Sequence, residues 1–159
     1  MDSLNKYFFE LQNEKEDSSS TYDSMDLTLI SYNEEKNTIR YIGCKHQFYV
    51  IRNNEVFTYR TSSHTLGSTL DNLNFKFEEI DVQKDDVIYL FSDGFPDQFG
   101  GEKGKKFKYK PFRELLLSVH HLSMDKQYIE IEKALKNWQN GKNEFYDQID
   151  DISIVGLKI

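Results

Sequence analysis

The stretch "VIYLFSDGFPD" at residues 87–97 joins an unbroken apolar run to a polar turn that contains Asp93 and Gly94. Five consecutive apolar residues bounded by polar ones are typical of a strand with both faces buried. Gly94 tolerates backbone angles that other residues avoid, so the chain can turn away immediately after the carboxylate. The stretch therefore predicts a buried strand that presents Asp93 at its carboxyl end.

The composition predicts the general class of the protein, a single globular domain. The 159 residues, 38% of them hydrophobic, are enough for a single domain, 1–159, with its own core. A net charge of -7 repels polyanions, so we expect no nucleic-acid partner. There is no apolar stretch of about 18 residues and no signal-peptide pattern, which predicts a cytoplasmic protein without membrane insertion. Cys44 lies in an apolar pattern and is predicted to be a buried, reduced thiol.

The residues before this stretch have the pattern of short strands. Ser3 and the apolar spacing after it predict a short helix, in a segment of helix and loop at 1–24. The runs that follow predict one antiparallel meander with strands at 26–32, 37–44, 47–52, 55–60 and 74–80. Asn53 and Asn54 tolerate positive φ and predict a two-residue hairpin turn between the third and fourth of these strands.

The residues after it predict a loop, two helices and a closing strand. The segment 94–111, rich in glycine and lysine, is predicted to form a long irregular loop. Pro111 is expected in the first turn of one helix, and Ser123 is expected to cap the next. Their apolar stripes are Phe112, Leu115, Leu116 and Val119 in the first helix, and Tyr128, Ile131, Ala134, Leu135 and Trp138 in the second. The last run, "DISIVGLKI", predicts a buried strand.

Two of the acidic clusters can meet at one edge of a sheet. Asp86 and Asp93 lie at opposite ends of one strand, about 23 Å apart at ~3.3 Å per residue, so they cannot share an ion. Asp93 follows that strand and Asp150 precedes the last one; if the two strands are antiparallel neighbours, these carboxylates come together. Such hard oxygen ligands suit Mg²⁺ or Mn²⁺. Alternatively, Asp93 and Gly94 are ordinary turn residues, and Asp150 with Asp151 ends a strand in solvent.

These motifs together resemble a known family. The run "VQKDDVIYLFSDGFPDQFGGEKGKKF", the two predicted helices and "QIDDISIVGLKI" closely resemble the second half of SpoIIE-type phosphatases, which are PP2C-like serine/threonine phosphatases of the PPM family. The resemblance extends over residues 25–159. It implies an α+β fold, the PP2C-like α-β-β-α sandwich, here incomplete, with antiparallel strands, two C-terminal helices and a final buried strand.

The resemblance also implies the chemistry. A bacterial signalling phosphatase of this type uses Mn²⁺ or Mg²⁺ and a metal-activated water to hydrolyse phosphoserine or phosphothreonine in a regulatory protein. By their motifs, Asp93 and Asp150 match metal-binding carboxylates, and Asp151 matches an outer or strand-capping position. Gly94 would let the chain turn without crowding the ion. The attacking group is then the water, and no side chain acts as the nucleophile.

One part of that family's site has no match in the sequence. An Asp-Gly turn and a Gly-His-Gly-like stretch would precede the hairpin, but residues 1–24 contain neither glycine nor histidine. We therefore expect an N-terminally truncated domain with little activity alone, which self-associates or pairs with a complementary N-terminal portion. The alternative is a catalytically degenerate binding module for a regulatory partner. The lysines of residues 103–110 lack the GxxxxGK[ST] spacing of a phosphate-binding loop and indicate a solvated or substrate-steering loop.

Overall fold

The structure is a computed structural model that describes Ser3, Lys6 and residues 25–66, 75–142 and 144–159. The helix and loop predicted at 1–24 lie almost wholly outside these residues. From residue 25 onward the elements are β1 (Leu27–Asn33), β2 (Thr38–Cys44), β3 (Gln47–Arg52), β4 (Glu55–Arg60), β5 (Glu78–Asp81), β6 (Val87–Phe91), α1 (Gly94–Asp97), β7 (Phe99–Gly100), β8 (Lys105–Lys106), α2 (Tyr109–Val119), α3 (Met124–Gln139) and β9 (Ile154–Lys158).

The strands form three sheets, in the orders β1-β2-β5, β4-β3-β6-β9 and β7-β8. The predicted hairpin is confirmed, because Asn53 and Asn54 have φ of 51° and 62° and join two hydrogen-bonded neighbours. The prediction of a single meander is wrong, because β2 and β3 follow each other in the chain but belong to different sheets. Lys45, with φ of 54°, turns the chain between them. The strand predicted at 74–80 is also shorter, and Phe77 before it is 58% exposed.

The chain divides into two compact units. The first comprises the described residues of Met1–Gln47 and Tyr59–Gln83, and the second comprises Phe48–Thr58 and Lys84–Ile159. In the first unit, β2 lies between β1 and β5 in antiparallel register and contributes the buried side chains of Ile39 and Ile42. Cys44 at its end is fully buried, as predicted, and this burial raises the pKa of its thiol.

The second unit contains the strand of the opening stretch and both predicted helices. β6 lies between β3 and β9, and its buried side chains confirm the prediction of a buried strand. Alternate residues of a strand point to the same face of a sheet. In β3 and β6 such alternate residues pack against the helices. The buried cluster consists of Tyr49, Ile51, Val87, Tyr89, Phe91, Phe95, Phe112, Leu116, Val119 and Ile131. None of the helices in the described part of the chain is long and apolar enough to cross a membrane.

Three predictions within this unit are wrong. The segment 94–111 is not an irregular loop, because it holds α1 and the paired strands β7 and β8. Tyr128 does not belong to the packed stripe of α3, since its side chain is 65% exposed. The last strand is not buried: β9 lies at the edge of the sheet formed by the described strands, and Val155 and Leu157 are 56% and 38% exposed.

Candidate functional site

The candidate site lies where β6 ends and β9 begins, within the second unit. The two strands are antiparallel neighbours, with Phe91 opposite Ile154. This is the condition under which the sequence predicted that the carboxylates following one strand and preceding the other come together. The strand pairing therefore brings "SDG" and "DDIS" to the same edge of the sheet.

Ser92 ties the two motifs together by three hydrogen bonds. Its backbone N–H donates to the carbonyl of Ser153 over 2.9 Å, and its hydroxyl donates to the carbonyl of Asp151 over 2.8 Å. The same hydroxyl accepts a bond from the N–H of Ser153 over 2.9 Å. Because the hydroxyl serves as both donor and acceptor, the backbone on the two sides of the site is held in one register.

Gly94 is required by the close approach of these two segments. A Cβ at this position would lie 2.4 Å from the carbonyl oxygen and 2.9 Å from the carbonyl carbon of Asp151. No side chain fits at such distances, so the motif needs glycine whatever ion is bound. The glycine starts α1 immediately after Asp93, whose carbonyl accepts a hydrogen bond from the N–H of Asp97 over 2.9 Å.

The two predicted metal ligands are exposed at this edge. Asp93 and Asp150 both belong to the exposed residues, and so does Asp151. Asp150 also accepts a hydrogen bond on its side chain from the N–H of Asp151 over 2.8 Å. Among the described residues, no group of three or more Asp, Glu, His or Cys side chains could hold a metal ion. Carboxylate oxygens are donors that Mg²⁺ and Mn²⁺ accept, but the described residues do not assemble three of them into one group at this edge.

Sequence reasoning missed a polar group beside Asp93. Lys106 on β8 contacts the carboxylate of Asp97 over 2.8 Å. Tyr109, the first residue of α2, has its pKa raised mainly by burial and further by the charges of Asp93 and Asp97. No local signal in the sequence predicted these contacts, because the segment between Phe99 and Phe107 has neither the alternation nor the short turn of a hairpin.

The acidic pair before β6, Asp85 and Asp86, lies away from the candidate site. Asp86 is 1% exposed and accepts three hydrogen bonds from Arg52 on the neighbouring strand, over 2.9 and 3.2 Å from Nε and 2.6 Å from Nη2. Asp85 is largely exposed and lies 3.4 Å from the amino group of Lys158. Both residues precede β6, whereas Asp93 follows it, so neither belongs to the candidate site.

Solved structures similar to this chain are PP2C phosphatase domains. The SiaA PP2C domain of Pseudomonas aeruginosa has 20% identity and a TM-score of 0.77, over 99% of this chain and 67% of that one. The phosphatase domain of SpoIIE from Bacillus subtilis has 12% identity and a TM-score of 0.53, over 98% of this chain and 63% of that one. The RsbU and RsbW domains of a Mycobacterium tuberculosis protein have 13% identity and a TM-score of 0.65, over 98% of this chain and 46% of that one. The fold is therefore the α+β fold of PP2C-like phosphatases, as predicted.

The sequence also identifies the family. The family described as Stage II sporulation protein E (SpoIIE) matches residues 1–159, so the chain belongs to the SpoIIE family. A search of curated protein sequences finds no match. The chain spans about half to two thirds of the structural neighbours named above, and it corresponds to a partial PP2C domain.

Proposed function

We propose that this chain provides one side of a Mn²⁺- or Mg²⁺-dependent centre that hydrolyses phosphoserine or phosphothreonine in a regulatory protein. The observation that supports this most directly is the set of hydrogen bonds from Ser92 to the "DDIS" segment. These bonds hold two acidic motifs at one edge, although the motifs are roughly sixty residues apart in the chain. The SpoIIE family and the PP2C-like fold support the same class of chemistry.

In this proposal each residue of the edge has a defined role. Asp93 and Asp150 would hold the divalent ion, and Asp151 would fix the backbone next to the second ligand. Ser92 and Gly94 keep the two ligand-bearing segments in close register. The bound metal would supply an activated water and would neutralise charge on the phosphoryl oxygens. The chain's own contribution is therefore to place two carboxylates, and two are too few to hold a pair of cations tightly.

The position of β9 at the edge of the sheet formed by the described strands supports the proposal that a complementary polypeptide completes the centre. Leu157 lies opposite Ile88 in the register, yet Ile88 is fully buried whereas Leu157 is 38% exposed. Val155, two residues earlier on the same face, is 56% exposed. Apolar side chains on an edge strand favour pairing with another strand. We propose that the partner is a complementary N-terminal portion of a PP2C domain or a second copy of the chain.

The test of the metal site is Mn²⁺ binding followed by electron paramagnetic resonance. Asp93→Asn and Asp150→Asn remove one proposed ligand each, and Asp85→Asn removes another exposed carboxylate, before β6, as a matched control. Losing an outer-shell partner costs ~10- to 100-fold in metal affinity, so losing a direct ligand should weaken binding at least about tenfold. The control should bind Mn²⁺ like the wild type. Equal affinity in all four proteins would exclude these carboxylates as ligands.

The test of activity is phosphate release from a phosphothreonine peptide with Mn²⁺. We expect little release by the chain alone and clear release when a polypeptide comprising the preceding part of a PP2C domain is added. No turnover in either condition would contradict the proposed phosphatase function.

The second candidate is a degenerate binding module, which is favoured by the absence of a three-ligand group among the described residues. A regulatory partner captured equally by the wild type, Asp93→Asn and Asp150→Asn, without metal, would support that alternative.

A further inference from the structure

The segment after α1 concentrates positive charge in a protein that is acidic as a whole. The basic hairpin, defined as residues 99–110, carries five lysines and one glutamate, whereas the complete chain has a net charge of -7. All five lysines are exposed: Lys103, Lys105, Lys106, Lys108 and Lys110. Within the described part of the chain, only Lys106 of these five makes an ion pair. The basic hairpin is thus a local positive surface with cations available for a partner.

The basic hairpin is held to the body of the unit by packing and hydrogen bonds. Phe107 packs edge-on against Phe95 and Trp138, with ring centroids 5.0 and 5.2 Å apart. The N–H of Phe107 donates to the carbonyl of Gln98 over 2.9 Å, and the indole N–H of Trp138 donates to the same carbonyl over 2.9 Å. Since this backbone is already ordered, binding of a ligand to the lysines costs the hairpin side-chain entropy but little backbone entropy.

The basic hairpin lies directly beside the candidate metal-binding edge. Its β8 contacts α1 through the ion pair of Lys106 with Asp97, which is 2.8 Å long. α1 begins at the residue that follows Asp93, and the N–H of Lys108 donates to the carbonyl of Pro96 in the same turn over 2.6 Å. The lysines are therefore within reach of residues next to a phosphoresidue that is placed at Asp93.

We propose that the basic hairpin is a docking surface for an acidic segment adjacent to the phosphoserine or phosphothreonine of the substrate protein; this rests on the proposed function. Lysines are flexible point charges, so binding to this surface should depend on how many carboxylates the segment carries rather than on their exact order. Exposed charges of this kind act mainly on encounter rate and partner choice, and salt weakens them. The remaining acidic surface repels long polyanions, which favours a short acidic peptide over nucleic acid.

The experiment compares two phosphothreonine peptides of equal length, one with aspartates and one with neutral residues beside the phosphate. Binding to the chain is measured by fluorescence anisotropy without metal, so the result does not depend on turnover. The test variant is Lys103→Glu/Lys105→Glu/Lys110→Glu. The matched control is Lys36→Glu/Lys76→Glu/Lys84→Glu, which changes the net charge equally at exposed lysines outside the hairpin. Urea unfolding of both variants verifies that they fold.

We expect the wild type to bind the acidic peptide about tenfold more tightly than the neutral one at low salt, and the hairpin variant to lose this preference. The control variant should keep it. Equal binding of both peptides to the wild type, or equal losses in the two variants, would overturn the docking surface. An oligonucleotide of the same charge that binds as tightly as the acidic peptide would also overturn it. Failure of Mn²⁺ binding or of phosphate release, with the peptide preference intact, would instead contradict the proposed function.

Discussion

Replacing Gly94 by alanine tests whether the two motifs are as close as the structure places them. The added Cβ would lie 2.4 Å from the carbonyl oxygen of Asp151. An ordinary non-bonded contact is about 3.5 Å, so the two segments would have to separate by roughly 1 Å. The hydrogen bonds of Ser92 to this segment, now 2.8 and 2.9 Å long, would then exceed the ordinary limit and break.

The expected loss of stability follows from these three bonds. Each contributes about 1 kcal/mol net, which sums to about 3 kcal/mol. Alanine offsets about 1 kcal/mol, because it restricts the unfolded chain and favours the helix that starts at this position. We therefore expect Gly94→Ala to lower the free energy of unfolding by about 2 kcal/mol, measured by equilibrium unfolding in urea.

Gly156 on β9 provides the matched control. A Cβ at this position would have its nearest neighbour at 3.3 Å, the sulfur of the flexible Met124 side chain, and would otherwise lie at least 3.6 Å from the ring of Tyr89. Gly156→Ala should therefore change stability by no more than about 0.5 kcal/mol. If Gly94→Ala is no less stable than Gly156→Ala, the two motifs are not in tight contact and do not form a site at this edge.

The remaining predictions concern buried polar groups of the second unit. Asp86→Ala should cost about 3–5 kcal/mol in urea unfolding, because it removes the buried carboxylate that binds Arg52. Asp85→Asn should cost less than about 1 kcal/mol, because this carboxylate is exposed and asparagine tolerates the φ of 72° at this position. Gln127→Leu should cost about 2–3 kcal/mol in the same assay, because the amide accepts from the buried hydroxyl of Tyr89 and donates to two carbonyls at the end of α2; equal stability would contradict this role. Burial raises the pKa of Tyr89, so its contribution to stability is complete below about pH 10 and is lost as the pH rises further. Thermal unfolding of Tyr89→Phe should therefore depend less on pH above 10 than that of the wild type.

Much of the local structure could be predicted from the sequence. The strands at 47–52, 55–60 and 87–91 agree with β3, β4 and β6 to the residue, and the Asn53-Asn54 turn has the predicted positive φ. These features depend on short-range preferences, namely continuous apolar runs and residues that tolerate a left-handed backbone. The stripe of α2 was also predicted correctly, since Phe112, Leu116 and Val119 are buried.

The order of the basic hairpin could not be predicted in the same way. Glycine and lysine have weak intrinsic preferences for strands, so composition alone favoured an irregular loop. The segment is ordered because Phe107 packs against Phe95 and Trp138. Trp138 lies about thirty residues further along the chain. Contacts between residues so distant in sequence leave no periodic signal.

By itself, the sequence determined the acidic motifs and the strands that carry them, because the patterning of apolar and polar residues is a local property. Only the tertiary structure decided that β6 and β9 are neighbours, that Gly94 touches Asp151 and that β9 lies at the edge of the described sheet with exposed side chains. Strand pairing and burial depend on which surfaces meet. The apolar pattern of a run such as "ISIVGLKI" is the same whether or not another part of the protein covers the strand. For that reason the sequence predicted a buried last strand, whereas most side chains of β9 are exposed in the structure.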